Sequence, residues 1–117
     1  MKPSALVTLA LASALSSTVW AHAHLRTPSP AADSTVAAPS ELRLSFSEGV
    51  EPAFSDVTLV NGSGATVKTQ LHRAEGDDSV LVAEPVSPLG TGSWEVQWKV
   101  VSVDTHRSEG HYRFTVK

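Results

Sequence analysis

The chain of 117 residues has no cysteine, and its single methionine is the initiator. The first absence excludes a disulfide, a thiolate metal site and a cysteine nucleophile; the second leaves the processed chain without a thioether donor. Chemistry built on soft sulfur ligands is therefore excluded. Basic runs are missing too, since nine Lys and Arg stand against twelve Asp and Glu for a formal charge of -3. That balance lacks the positive footprint that nucleic acid or an anionic membrane surface needs. Nothing beyond Trp20 approaches the roughly 18 apolar residues of a membrane-spanning helix. Nor does any stretch repeat apolar residues at helical spacing over three turns. No Gly-x-Ser-x-Gly elbow accompanies the serines, so a hydrolase reading has no support.

The beginning of the chain has the organisation of an export signal. Lys2 supplies a positive n-region, Leu6 to Leu15 an apolar core, and Ser16 to Ala21 a short polar-to-small region. Residues 1–21 are expected to be a signal peptide, and 22–117 one soluble, exported domain with no membrane insertion after cleavage. Cleavage after Ala21 would make His22 the first residue, whereas cleavage after Ala23 would make it His24. Eight basic and twelve acidic residues remain in 22–117.

Within that domain the dominant signal is alternation. Thr27 to Ser40, with Pro28, Pro30 and Pro39, predicts an extended or loop-like lead-in. Leu42, Leu44 and Phe46 then share one face while Arg43 and Ser45 take the other, as in a half-buried strand. Val57 to Val60 and Ala65 to Leu71 flank the turn Asn61-Gly62-Ser63-Gly64 and predict a hairpin. A second turn is expected at Glu75 to Asp78 and a short strand at Ser79 to Ala83. Ser93 to Val103 is the longest strand expected, with Trp94, Val96, Trp98 and Val100 facing the core. A last strand carries Tyr112, Phe114 and Val116 inward and His111, Arg113, Thr115 and Lys117 toward water. Short strands with turn signals about every ten residues predict an all-β fold: an immunoglobulin-like, antiparallel Greek-key sandwich or barrel of about seven strands.

Three features exceed a plain sandwich: the histidine exposed by processing, Asp104-Thr105-His106 after the longest strand, and Glu48 after Phe46-Ser47. An N-terminal histidine offers its amine and its own ring Nδ1, two donors of one residue that can close a chelate ring at almost no ordering cost. Asp104 and His106 are two apart, so in extended conformation their carboxylate and imidazole project from one face. Amine, two imidazoles and a carboxylate suit Cu(II) by ligand type and affinity order, although Zn(II) accepts the same donors in tetrahedral array. Two bland alternatives stand beside this reading. Asp-Thr-His in a loop also describes a solvated turn with an Asx-type hydrogen bond. His24, third in a chain starting at His22, could instead complete a plane with the amine and two deprotonated amides. Glu48, Glu51 and Asp56 read as a solvated acidic rim, and His72 and His111 as solvent-facing.

The segments His22-Ala23-His24-Leu25, Leu44-Ser45-Phe46-Ser47-Glu48-Gly49-Val50, Phe54-Ser55, Trp98 to His106 (WKVVSVDTH), Gly110 and Phe114-Thr115-Val116 occur in order. Together they resemble the CopC family of periplasmic copper-binding proteins over essentially all of 22–117. The resemblance implies a small Greek-key β-barrel that holds one Cu(II) per chain, with His22 giving amine and imidazole and Asp104 and His106 completing the plane. Glu48 matches an acidic residue that orients a ligand or binds weakly, and His24 remains the competing ligand. Matching the first segment through Leu25 and Pro30 puts the family's first residue at His22, which favours cleavage after Ala21. A methionine-rich Cu(I) site found in some members is absent, which implies the Cu(II)-only subtype. Copper homeostasis or resistance, or delivery to a CopD-like inner-membrane transporter, is the implied role, and no enzyme activity is expected.

Two other classes compete with the carrier. A histidine-brace copper mono-oxygenase also begins with histidine on a β-sandwich, but it needs an open coordination position and a flat aromatic surface. A metal-free immunoglobulin-like interaction module would be indifferent to replacement of Asp104 and His106. For the carrier, both the amine and the imidazoles must lose protons to bind, so affinity is expected to fall on acidification.

Overall fold

Alternating side chains on two long neighbouring strands build most of the core. In the computed structural model, which describes residues 23–117, Gly92–Val101 pairs along its whole length with Arg107–Val116. The expected signal peptide, residues 1–21, and His22 lie outside the described residues. In chain order the strands are β1 (Leu25–Ser29), β2 (Thr35–Val36), β3 (Leu42–Phe46), β4 (Asp56–Asn61), β5 (Thr66–Ala74), β6 (Asp77–Pro85), β7 (Gly92–Val101) and β8 (Arg107–Val116). A single 3-10 turn, Pro52–Phe54, interrupts the connection from β3 to β4. The described residues contain no α-helix, and none of their helices is long and apolar enough to cross a membrane.

The strands join in the order β1-β3-β6-β5-β4-β7-β8-β2. β4, β5 and β6 form a meander, and β3 reaches back over the 47–55 connection to lie beside β6, which is a Greek key. β5 turns the corner between the two layers: Thr66, Val67 and Lys68 pair with β4, whereas Thr69 to Ala74 pair with β6. The expected all-β Greek-key architecture is thus present as a curled sheet of eight strands. Its core holds Leu42, Leu44 and Phe46 of β3, Val57 and Leu59 of β4, Leu81 and Ala83 of β6, Trp94, Val96, Trp98 and Val100 of β7, and Tyr112, Phe114 and Val116 of β8. Phe46 meets the Trp98 indole edge-on, with centroids 5.2 Å apart and planes at 75°.

Several boundaries differ from the sequence expectation, each for a backbone reason. The lead-in contains β1, which holds an outer place in the strand order where Pro28 interrupts no central ladder. It also contains β2, whose two residues run parallel to Thr115 and Val116, so the sheet is not wholly antiparallel. Two paired residues carry no periodicity by which a sequence could announce them. β8 begins five residues earlier than Tyr112, because Arg107 to His111 pair with β7 through main-chain groups while contributing no apolar alternation. β7 ends at Val101, not Val103, and His72 lies within β5, not after it. The β5–β6 turn narrows to Glu75-Gly76, with Gly76 at φ 81°.

Candidate metal centre

The β7–β8 hairpin closes through residues 102–106, and this turn carries two of the expected ligands. Ser102 N–H donates to His106 O at 2.8 Å and Thr105 N–H to Ser102 O at 2.8 Å, while Thr105 takes a positive φ of 73°. Asp104 and His106 therefore do not lie on an extended strand, as their spacing had suggested. The turn nevertheless brings them together: His106 Nδ1 lies 3.2 Å from Asp104 Oδ1, and both side chains are about half exposed (48% and 46%). Nitrogen and oxygen donors each 2.0–2.1 Å from one ion stand roughly 2.9 Å apart at a right angle and roughly 3.3 Å apart at the tetrahedral angle. The observed separation falls within that span and is equally that of a hydrogen bond between the two side chains, so an ion that took both atoms would replace their contact. The Ser102 hydroxyl, and after it the His106 side chain, hold the Asp104 carboxyl below the usual aspartate range.

A second segment, residues 47–51, is fastened to this turn. Val103 N–H donates to Gly49 O at 2.9 Å, Glu51 N–H to Val101 O at 2.8 Å, and Val50 bridges Ser102. Arg73 of β5 secures the same segment, its Nε donating to Val50 O at 2.9 Å and its terminal nitrogen to Glu51 Oε1 at 2.8 Å. Glu51 is thus ion-paired, and the loose acidic rim expected from Glu48, Glu51 and Asp56 does not form as a unit. Glu48 differs from a solvated rim residue in another way: its Oε1 is buried without a hydrogen-bond partner. A carboxylate oxygen in that condition is a ready acceptor for a cation or for a water bound to one.

The third component is the start of the described chain. Ala23 is buried, and its carbonyl accepts a 2.8 Å hydrogen bond from Ser108 Oγ, two residues after His106. His24 exchanges two bonds with Ser47: its N–H donates to Ser47 Oγ and its carbonyl accepts from Ser47 N–H, each at 2.8 Å. The point from which His22 departs is therefore clamped between the residue before Glu48 and the strand that follows His106. His24 lines a shallow hollow together with Trp98, Glu109 and His111. Among the described residues, no three His, Asp or Glu side chains converge as a metal cluster, so Glu48 does not join Asp104 and His106 in one.

The CopC domain pattern matches residues 25–117, which contain the turn and every strand. The chain belongs to the CopC family. Protein YobA of Escherichia coli (strain K12) is 45% identical to this CopC-family chain over 101 residues, spanning 85% of it and 82% of YobA. Two solved structures share the fold. PcoC, described as a methionine-rich copper resistance protein from Escherichia coli, matches with a TM-score of 0.72 and 38% identity, over 83% of this chain and all (100%) of that one. CopC from Methylosinus trichosporium OB3b matches with a TM-score of 0.76 and 35% identity, over 82% of this chain and 94% of that one. The CopC fold is accordingly secure for this chain, and its β-barrel is the one described above.

Residue types and spacing make Asp104 and His106 candidates beside the solvated-turn reading, and the resemblance singles them out, but neither points to the groups that hold them. Ser102 is fully buried (0% exposed) and contacts both Asp104 and His106. One signal for it was available: it continues the inward series Trp94, Val96, Trp98, Val100, and a lone hydroxyl at a core position calls for a partner. Ser47 and Ser108 carried no such signal, because their partners are main-chain groups distant in sequence.

Proposed function

We propose that the processed protein carries one Cu(II) in the periplasm, held by the amine and imidazole of His22 together with Asp104 and His106, with Glu48 beside the site. The observation that carries this reading is the paired turn, in which two donors 3.2 Å apart lead into β8, whose Ser108 holds the carbonyl of the residue after His22. The names of the related copper resistance proteins agree with it, as does a donor set of nitrogen and carboxylate oxygen. Copper here is cargo. Bound, its charge is met by the Asp104 carboxylate, and four donors leave little room for a substrate, which favours a carrier over an enzyme. Burial of Trp94, Trp98 and Tyr112 also leaves those rings unable to form a flat sugar-binding face of the kind a polysaccharide mono-oxygenase needs.

The competing amino-terminal plane would require the amide nitrogens of Ala23 and His24. The His24 amide already donates to Ser47 Oγ, and Ala23 is buried, so that plane would have to undo the clamp. Without methionine in 22–117, Cu(I) finds only harder donors, and reduction favours release. The Cu(II)-only behaviour, a homeostasis or resistance role, and handover to a CopD-like membrane transporter follow from this reading.

Native mass spectrometry of the exported protein, before and after one equivalent of Cu(II), tests it. The expected result is a chain starting at His22 that retains one copper, with retention lost in His106→Ala and in a variant keeping one extra residue before His22. Damage by His24→Ala with His106→Ala harmless would establish the amino-terminal plane instead. No retention at all would leave the metal-free module.

A further inference from the structure

Resting on that copper reading, we infer that Ser102 is the positioning residue of the centre: one buried hydroxyl, at the end of β7, orients both Asp104 and His106. Its oxygen contacts Asp104 Oδ1 at very short range and lies 3.2 Å from His106 N and 3.2 Å from His106 O. A serine hydroxyl has one proton to give. A charged carboxylate is the stronger acceptor, and His106 O already receives the Ser102 amide, so the proton goes to Asp104. The oxygen's lone pair then accepts the His106 N–H. One atom thus ties the side chain of one ligand to the main chain of the other.

Three properties set Ser102 apart from an ordinary turn serine. Being fully buried, it offers water no route to replace a lost hydroxyl. Its own amide and carbonyl close the turn, to His106 O and from Thr105 N, so its side-chain bonds add to a frame that exists without them. Its backbone is held from outside by the bridge to Val50, next to the Gly49 carbonyl that accepts Val103 N–H. The frame sets where the turn is; the hydroxyl sets which way Asp104 faces. With Oδ1 engaged by Ser102 and His106 Nδ1, the carboxylate is prevented from rotating, and the ligand spacing is established before an ion arrives.

The test compares Ser102→Ala with the wild type in the processed protein. Cu(II) affinity, measured by competition with a chelator, is expected to fall about 10- to 100-fold. The Cu(II) electron paramagnetic resonance spectrum should shift as well, because the orientation of an equatorial carboxylate changes. Ser102→Thr, which keeps the hydroxyl, should restore both. In a double-mutant cycle with Asp104→Ala, the Ser102→Ala loss should shrink, since only the arm through the His106 main chain is then left. Full additivity in that cycle, or an unchanged affinity and spectrum in Ser102→Ala, would overturn the assignment while leaving copper binding intact. Failure of the wild type to bind Cu(II) would instead overturn the underlying function. Should Ser102→Ala not fold, the copper-free wild type still decides: the His106 amide must be protected from hydrogen exchange, and free exchange refutes the assignment.

Discussion

Gly110 shows how one residue can be required for a reason no local pattern reveals. It faces Trp98 across the β7–β8 ladder, and a Cβ built on it would lie 2.4 Å from Cζ2 and 2.8 Å from Cε2 of the indole. Trp98 is 8% exposed and its ring also meets Phe46, so it has little freedom to withdraw. Gly110→Ala is therefore expected to cost about 1–3 kcal/mol by overpacking. Urea unfolding followed by tryptophan fluorescence checks this, and an unchanged midpoint would show that the indole moves aside freely. The sequence contained Gly110 and Trp98 as members of a resemblance, but only the register, which sets residue 98 opposite residue 110, supplies the cause. Asp104 and His106 were legible in a different sense: their chemistry is intrinsic, so type and spacing sufficed to nominate them. Their geometry was not, because the positive φ of Thr105 replaces the extended path that a period of two assumes.

At the scale of elements, the proposed centre depends on two strands that do not pair with each other being joined at one end. β1 lies at one end of the strand order and β8 next to the other, yet Ser108 Oγ reaches the Ala23 carbonyl and brings their starts together. Ser108→Ala removes that bond and leaves a buried carbonyl unpaired, which should cost about 1–3 kcal/mol. Its more specific effect is on the amino terminus. Hydrogen exchange should rise at residues 24–27 while β3 and β7 stay protected, and Cu(II) affinity should fall because His22 is then less preorganised. Equal protection in both proteins would show that the Ser47 bonds to His24 hold the terminus alone. Elements with side-chain alternation, β3, β4, β7 and the end of β8, could be read from the chain. β1, β2 and the first half of β8 could not, since main-chain pairing builds them from residues such as Thr27, Pro28 and Arg107 to His111 that show no period.

The whole molecule must hold this end together without a disulfide, so an ion that bridges His22 to the β7–β8 turn would act as a reversible cross-link. It would connect the amino terminus to residues more than eighty positions away, the same span that Ser108 and Ala23 close with a single hydrogen bond. A ligand that binds only the folded state stabilises it by mass action, by about 2.7 kcal/mol at a hundred times its dissociation constant. For a domain near one hundred residues this corresponds to a rise in Tm of roughly 10–20 °C. Differential scanning calorimetry of the processed protein with Cu(II) should show that rise, and addition of a reductant should reverse most of it as the ion becomes Cu(I). His106→Ala should abolish the rise while leaving the copper-free Tm nearly unchanged, because its side chain is half exposed and contributes little to the core. If that variant gains as much as the wild type, copper stabilises the barrel from some other position, and the turn at 102–106 is not its site.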